Sequence, residues 1–215
     1  MASMVAARNH QTAFVVMLGG PGLSGSEILC AQIRRVAPDF GVKKKTIAKH
    51  VELIRKATEI LHDLPDERSA IAALNSLYDD YLHHTSAAER SALGKSGYAT
   101  SETPAEFSAG MLLPWTKDFL LYDPRLDLSR VRCPILSLIG AQDAQVVAGP
   151  NQAAIQNALS EGGNCHYLLL KPPNLNHMLQ KARSGSPAEY QEIAETMSPA
   201  VLNAISGWIM DLVLP

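Results

Sequence analysis

The sequence has few cysteines, almost no net charge and no long apolar run, and each shortage excludes a class of protein. Its three cysteines (Cys30, Cys133 and Cys165) are widely spaced and odd in number, so they form neither a disulfide framework nor a zinc site. A formal net charge of −2 over 215 residues argues against a nucleic-acid partner, because neutralising phosphates requires a basic surface. No apolar run approaches the roughly 18–20 residues of a membrane span, so we expect no membrane partner. Free thiols fit a reducing compartment, and we expect a cytoplasmic location by default, while a signal in a longer parent protein would allow export.

The residues that are present have an ordinary globular composition, with 47% hydrophobic and 19% charged side chains. Apolar runs at 13–18, 134–139 and 166–170 predict strands that are buried on both faces, which is typical of a parallel sheet. Helical periodicity indicates helices over 151–160, 187–197 and 199–214. The stretch 26–122 has helical spacing and no convincing strand. We therefore predict an α/β fold: a short parallel sheet of about three strands with flanking helices, built from 1–25 and 123–215, and a large helical insertion at 26–122.

Two residues follow predicted strands at their carboxyl ends, where parallel sheets place their chemistry. Asp143 comes after the strand 134–139, and His177 comes after the strand 166–170. The residues between them hold one helix and one strand, so both loops should emerge at the same edge of neighbouring strands. An aspartate that orients a histidine, which then acts as general base, is two-thirds of a catalytic triad. Each residue alone would be read as a turn aspartate or a loop histidine, and their matching positions favour the catalytic interpretation.

These residues carry a resemblance to a known family. The run Cys133-Pro134-Ile135-Leu136, then Gly140-Ala141-Gln142-Asp143 and Val146, followed by Asn176-His177, resembles the C-terminal half of an α/β-hydrolase. It is similar to the branch of serine aminopeptidases, acyl-peptidases and dienelactone-hydrolase-like esterases. The resemblance implies a Ser-His-Asp triad with Asp143 as acid and His177 as base. It also implies an ester or amide substrate, either a small molecule or a peptide, without a cofactor or metal, and a helical cap at 26–122. Trp115, Phe119 and Tyr122 are then candidates for a substrate pocket.

The sequence departs from the family at the nucleophile. The family's Gly-x-Ser-x-Gly elbow lies on the turn before the helix that corresponds to residues 4–8, so we expect the serine upstream of Met1. The chain alone is therefore expected to be inactive, as the inert part of a longer enzyme. The strand 13–18 would also have an unpaired edge, which predicts self-association or pairing with a separate N-terminal half.

Other interpretations stay open at this point. Ser24, in Gly22-Leu23-Ser24-Gly25-Ser26, follows a strand and precedes a helix, and is a weak alternative nucleophile. The same loop matches G-x-G-x-x-G through Gly20, Gly22 and Gly25, which would suit a nucleotide-binding α/β protein. Asp79, Asp80, His83 and His84 lie on neighbouring helical turns and could bind a metal, although such clusters are usually solvated. A non-catalytic binding or assembly protein is the main alternative function.

Overall fold

A computed structural model describes residues 2–64, 66–98 and 100–214. By internal contacts the chain divides into two compact units. The sheet unit contains the residues up to Leu23 and those from Asp123 onward, and the helical unit is Ser24–Tyr122.

The regular elements of the described residues are strands β1 (Val15–Leu18), β2 (Ile135–Leu138) and β3 (Tyr167–Leu170) and helices α1 (Ala2–Arg8), α2 (Gly25–Val36), α3 (Lys44–Asp63), α4 (Glu67–His84), α5 (Ala87–Lys95), α6 (Pro104–Leu112), α7 (Pro114–Leu121), α8 (Arg125–Leu128), α9 (Ala148–Glu161) and α10 (Pro199–Val213). Short 3₁₀ helices cover Ala37–Phe40 and Pro187–Glu192. None of the helices in these described ranges is both long and apolar enough to cross a membrane.

The sheet is three-stranded and parallel in the order β1-β2-β3, as the apolar runs predicted. Val15 lies opposite Ile135, which in turn lies opposite Tyr167. Each strand is shorter than its predicted run. Because β2 is central, the loops that follow β2 and β3 leave the sheet side by side.

Both faces of the sheet are buried, which explains why its strands are apolar without alternation. Val15, Met17 and Ile135 face one side and join a core with residues of α1, α8 and α9. Leu136 and Leu138 face the other side and pack with Val201 of α10. The fold of this unit is thus a parallel sheet with helices on both faces.

The helical unit has a core of its own. Ile33, Leu74 and Tyr78 are fully buried in a cluster that draws on α2 to α7. Helices α2, α5 and α6 have Ser24, Ser86 and Thr103 as N-caps, each in a capping box with a glutamate three residues later. No strand occurs in the described residues of this unit, in agreement with the sequence pattern.

The prediction of a helix over 187–197 is wrong for its second part, after residue 192. Only Pro187–Glu192 is helical, as a short 3₁₀ segment. Beyond it, the Glu195 carbonyl accepts a hydrogen bond from Gln180 Nε2, at 2.9 Å. The backbone of this segment therefore binds a neighbouring loop instead of closing helical turns.

Candidate active site

Asp143 lies in the loop after β2, and its carboxylate is held from two directions. Its side chain is fully buried. Oδ1 accepts hydrogen bonds from the backbone N–H groups of Gln145, at 2.8 Å, and Val146, at 2.7 Å. The turn that follows the strand thus provides the donors that a buried carboxylate requires. These bonds fix the carboxylate independently of its third partner.

That third partner is His177, in the loop after β3. His177 Nδ1 lies 2.9 Å from Asp143 Oδ2, and the histidine side chain is 26% exposed. A carboxylate can only accept, so Nδ1 carries the proton in this pair and Nε2 of the neutral ring is left with its lone pair. No residue in the described ranges hydrogen-bonds Nε2 of His177. The structure brings these two predicted residues into contact, with the histidine partly exposed to solvent and the aspartate buried.

A tight hairpin presents His177 to the aspartate. Asn176, which is fully buried, accepts the N–H of Gln180 at its Oδ1 and donates from Nδ2 to Gln180 Oε1, both at 3.0 Å. The Asn176 N–H donates to the Gln180 carbonyl at 3.0 Å, and Leu175 pairs with Lys181. Ser198 N–H, just before α10, donates to the carbonyl of Leu179 at 2.9 Å. The loop is therefore cross-linked on both sides of His177.

Two glycines make room for this loop at the end of the sheet. A Cβ at Gly140 would lie 2.2 Å from the carbonyl oxygen of Leu175, so only glycine lets the β2 end approach that backbone. Gly19, directly after β1, has φ +58°, and a Cβ there would lie 2.9 Å from Cε1 of the His177 ring. The imidazole thus packs directly against backbone at the carboxyl end of β1.

Sequence reasoning missed the residues that position the pair. Asn176, Gln180, Gly19 and Gly140 hold or accommodate the histidine loop. The signal for the glycines was present, since Gly19 and Gly140 each end a strand. Nothing in the local pattern linked Asn176 to Gln180.

The predicted pocket residues lie in the helical unit. Trp115 and Phe119 are on α7, with parallel rings whose centroids are 5.5 Å apart, and Tyr122 follows this helix. Trp115 is 75% exposed. That these aromatic residues line a substrate pocket stays a prediction.

Ser24, the alternative nucleophile, has a local structural role. It is the N-cap of α2, where its Oγ donates to Glu27 Oε2 at 2.7 Å and accepts the Glu27 N–H at 3.3 Å. A capping box accounts for a serine at this position. Its hydroxyl bonds to a carboxylate on its own helix, and no histidine of the described residues hydrogen-bonds it.

The glycine-rich loop also has a packing explanation. A Cβ at Gly22 would lie 2.2 Å from the Asn151 carbonyl oxygen, and one at Gly25 would lie 1.9 Å from the Phe119 carbonyl oxygen. Asn151 Oδ1 accepts the backbone N–H groups of Gly22 and Leu23, at 2.9 and 3.1 Å. Close helix packing, rather than a phosphate, therefore accounts for these glycines.

The four candidate metal ligands on α4 form two exposed pairs. His83 Nε2 lies 3.5 Å from Asp79, and His84 Nδ1 lies 3.3 Å from Asp80 Oδ1. Within the described part of the chain no three histidine, cysteine or acidic side chains are grouped so that they could hold a metal ion. The pairs are ordinary i,i+4 contacts on a solvated helix face.

No protein-family model, curated protein sequence or solved structure matches this chain.

Proposed function

We propose that this chain carries the acid and base of a serine hydrolase of the α/β-hydrolase kind, acting on an ester or amide bond. One observation carries the proposal: a fully buried Asp143, fixed by two backbone N–H groups, lies 2.9 Å from Nδ1 of a partly exposed His177. The two residues come from adjacent parallel strands at their carboxyl ends, where this fold class positions its chemistry.

Each residue has a defined role in the proposed reaction. His177 Nε2 takes the proton of the attacking serine hydroxyl and later gives it to the leaving alcohol or amine. Asp143 keeps the proton on Nδ1 and stabilises the imidazolium ion that forms in between. The serine and the oxyanion donors come, in this proposal, from residues outside the printed sequence, and the substrate class follows from the resemblance to peptidases and esterases.

Fluorophosphonate labelling tests the proposal, because such a probe reacts with an activated serine without knowledge of the substrate. We expect no labelling of the 215-residue chain. A longer chain that also includes the residues encoded upstream of Met1 should label strongly. In the extended form, His177→Ala should reduce labelling by at least about a thousandfold, because the serine loses its base.

His166→Ala is the matched control, since His166 directly precedes β3 in the same unit and is exposed. It should label like the unchanged protein. Labelling of the 215-residue chain would contradict the proposed upstream position of the nucleophile and would make Ser24 the candidate nucleophile. If neither form labels, the enzyme proposal fails.

A second candidate, a non-catalytic assembly protein, is favoured by the edge of the sheet. The N–H groups of Val15 and Gly19 donate to Pro134 and Leu138, at 2.9 and 2.8 Å, so the backbone groups of Val16 and Leu18 point away from β2. This edge carries no charge or proline to prevent strand addition. Failure of both labelling arms would leave pairing at this edge, with a second copy or an N-terminal half, as the leading function.

A further inference from the structure

The helical unit contains a cavity that the proposed reaction does not use. It has a volume of about 250 Å³ and lies among residues of α2, α3, α4 and α6 and of the segment before α6. Its apolar wall consists of Leu29, Ile33, Leu53, Ile54, Phe107 and Met111. An apolar protein cavity of about 150 Å³ accepts benzene, so the volume here suits a somewhat larger ring compound.

The wall is rigid and flat on one side. The rings of Tyr78 and Phe107 stack with centroids 4.4 Å apart, and Tyr78 donates from its hydroxyl to the Ser101 carbonyl at 2.6 Å. This bond fixes Ser101 beside the stacked rings. A cavity lined in this way offers a flat surface to an aromatic ligand.

Two polar groups of the lining have unused hydrogen-bonding capacity. His50 is 95% buried, and its Nδ1 lies 3.2 Å from the Tyr81 hydroxyl, while its Nε2 has no hydrogen-bond partner in the described residues. The Tyr98 hydroxyl likewise has no partner within the ranges the structure describes. His50 Nε2 and the hydroxyl of the half-buried Tyr98 can therefore each bond to a polar group of a molecule in the cavity.

The lining also decides the charge of the ligand. Among the described residues that line the cavity there is no aspartate, glutamate, lysine or arginine. Burial lowers the pKa of His50 from 6.5 to about 4, so the ring is neutral near pH 7. An ion entering the cavity would lose its hydration without meeting an opposite charge.

We propose that this cavity binds a small uncharged molecule with a flat apolar body and one hydrogen-bonding group, about the size of phenol or indole. The polar group of the ligand meets Nε2 of His50, with the Tyr98 hydroxyl as a second partner, and the ring lies against Tyr78 and Phe107. The site is separate from Asp143 and His177 and does not depend on the hydrolase proposal.

Binding of phenol, toluene and benzoate to the full chain at pH 7 tests the proposal, with dissociation constants from ligand-observed NMR. We expect phenol and toluene to bind and benzoate to bind at least tenfold more weakly than phenol. No binding of phenol or toluene would overturn the proposal. Equal binding of benzoate and phenol would overturn the uncharged class of ligand.

Filling the cavity provides the main variant. Gly110 lines the cavity on α6, and a Cβ there meets nothing within 4 Å, so Gly110→Leu should place a side chain in open space without disturbing the backbone. We expect at least a tenfold loss of phenol binding. Gly94→Leu is the matched control, because Gly94 is also helical with open space around it and lies outside this cavity. Equal phenol binding by the two variants would overturn the assignment of the site.

The role of the polar groups is measured by the ratio of the phenol and toluene dissociation constants. His50→Leu should shift this ratio about five- to tenfold in favour of toluene, the value of one hydrogen bond. Tyr98→Phe removes only a hydroxyl without a described partner and should shift the ratio in the same direction while the fold is kept. An unchanged ratio in both variants would contradict the polar contact.

Discussion

At the scale of single residues, Asp143 and His50 are two buried titratable groups with opposite surroundings. Asp143 receives two backbone N–H groups and a histidine, so its environment is built around a negative charge. His50 lies among apolar side chains and contacts one tyrosine hydroxyl, so its environment excludes a positive charge. The first arrangement suits catalysis, and the second suits recognition of a neutral molecule.

The surroundings of His50 predict a dependence of stability on pH. Burial lowers the pKa of His50 from 6.5 to about 4. Below pH 6.5 this residue is therefore protonated in the unfolded chain, whereas in the folded chain it is protonated only below about pH 4. The free energy of unfolding should therefore decrease by about 3 kcal/mol from this group as the pH falls from 6.5 to 4. Above pH 6.5 the residue is neutral in both states and contributes no slope.

Urea denaturation at a series of pH values measures this contribution. His50→Gln should lack the part of the decrease that His50 causes, whereas the exposed control His166→Gln should keep it. Carboxylates also titrate in this range, so the comparison is between the variant and the unchanged protein. If the free energy of unfolding of His50→Gln and that of the unchanged protein depended on pH in the same way, the proposed cost of protonating His50 would be contradicted.

At the scale of elements, the site depends on how closely the histidine hairpin approaches β2. Gly140→Ala would place a methyl group 2.2 Å from the Leu175 carbonyl oxygen, so the backbone beside His177 must move. We expect a loss of about 1–3 kcal/mol in the free energy of unfolding, as for other overpacked positions. Gly149→Ala, on α9 with nothing within 4 Å of the new Cβ, should be neutral or slightly stabilising.

Chemical denaturation of both variants distinguishes a close approach from a general intolerance of alanine at glycine positions. If Gly140→Ala were as stable as Gly149→Ala, the backbone of the histidine hairpin would be shown to shift at little cost in the free energy of unfolding. In the longer chain of the proposed hydrolase, the same Gly140→Ala variant should also lose fluorophosphonate labelling, because the imidazole moves with the backbone.

The elements that were predictable from the sequence are those whose pattern is local. The three parallel strands follow from continuous apolar runs, because a strand covered on both faces needs apolar residues at every position. The helix over 187–197 failed because Glu195 bonds to Gln180, a contact that no local pattern contains. The roles of Asn176 and Gly19 in positioning His177 were not predictable for the same reason, since these roles exist only once the loops after β1 and β3 meet.

At the scale of the whole molecule, the chain contains two units with separate cores. The helical unit is continuous in sequence, from Ser24 to Tyr122, and buries residues such as Leu74 and Tyr78 within itself. The sheet unit is assembled from two separate stretches. A continuous stretch with its own core is expected to fold without the rest of the chain.

We predict that residues 24–122, expressed alone, form a helical protein that unfolds cooperatively. Circular dichroism during heating measures this. In that fragment, Leu74→Ala should destabilise by about 2–5 kcal/mol, because Leu74 is fully buried. Leu113→Ala, at a side chain that is 57% exposed, should change little. A fragment without cooperative unfolding would show that its core is insufficient by itself.

The positions of the two tryptophans give each unit its own spectroscopic reporter. Trp115 stacks on Phe119 in the helical unit, and Trp208 meets the edge of the Phe14 ring in the sheet unit, with ring centroids 5.7 Å apart. Replacing either indole by phenylalanine leaves a protein whose tryptophan fluorescence comes from one unit only. In the folded protein Trp115 is exposed to solvent and Trp208 is partly buried, so their emission differs before unfolding begins. The order in which the two units lose structure is thus readable from one optical signal, with no label added.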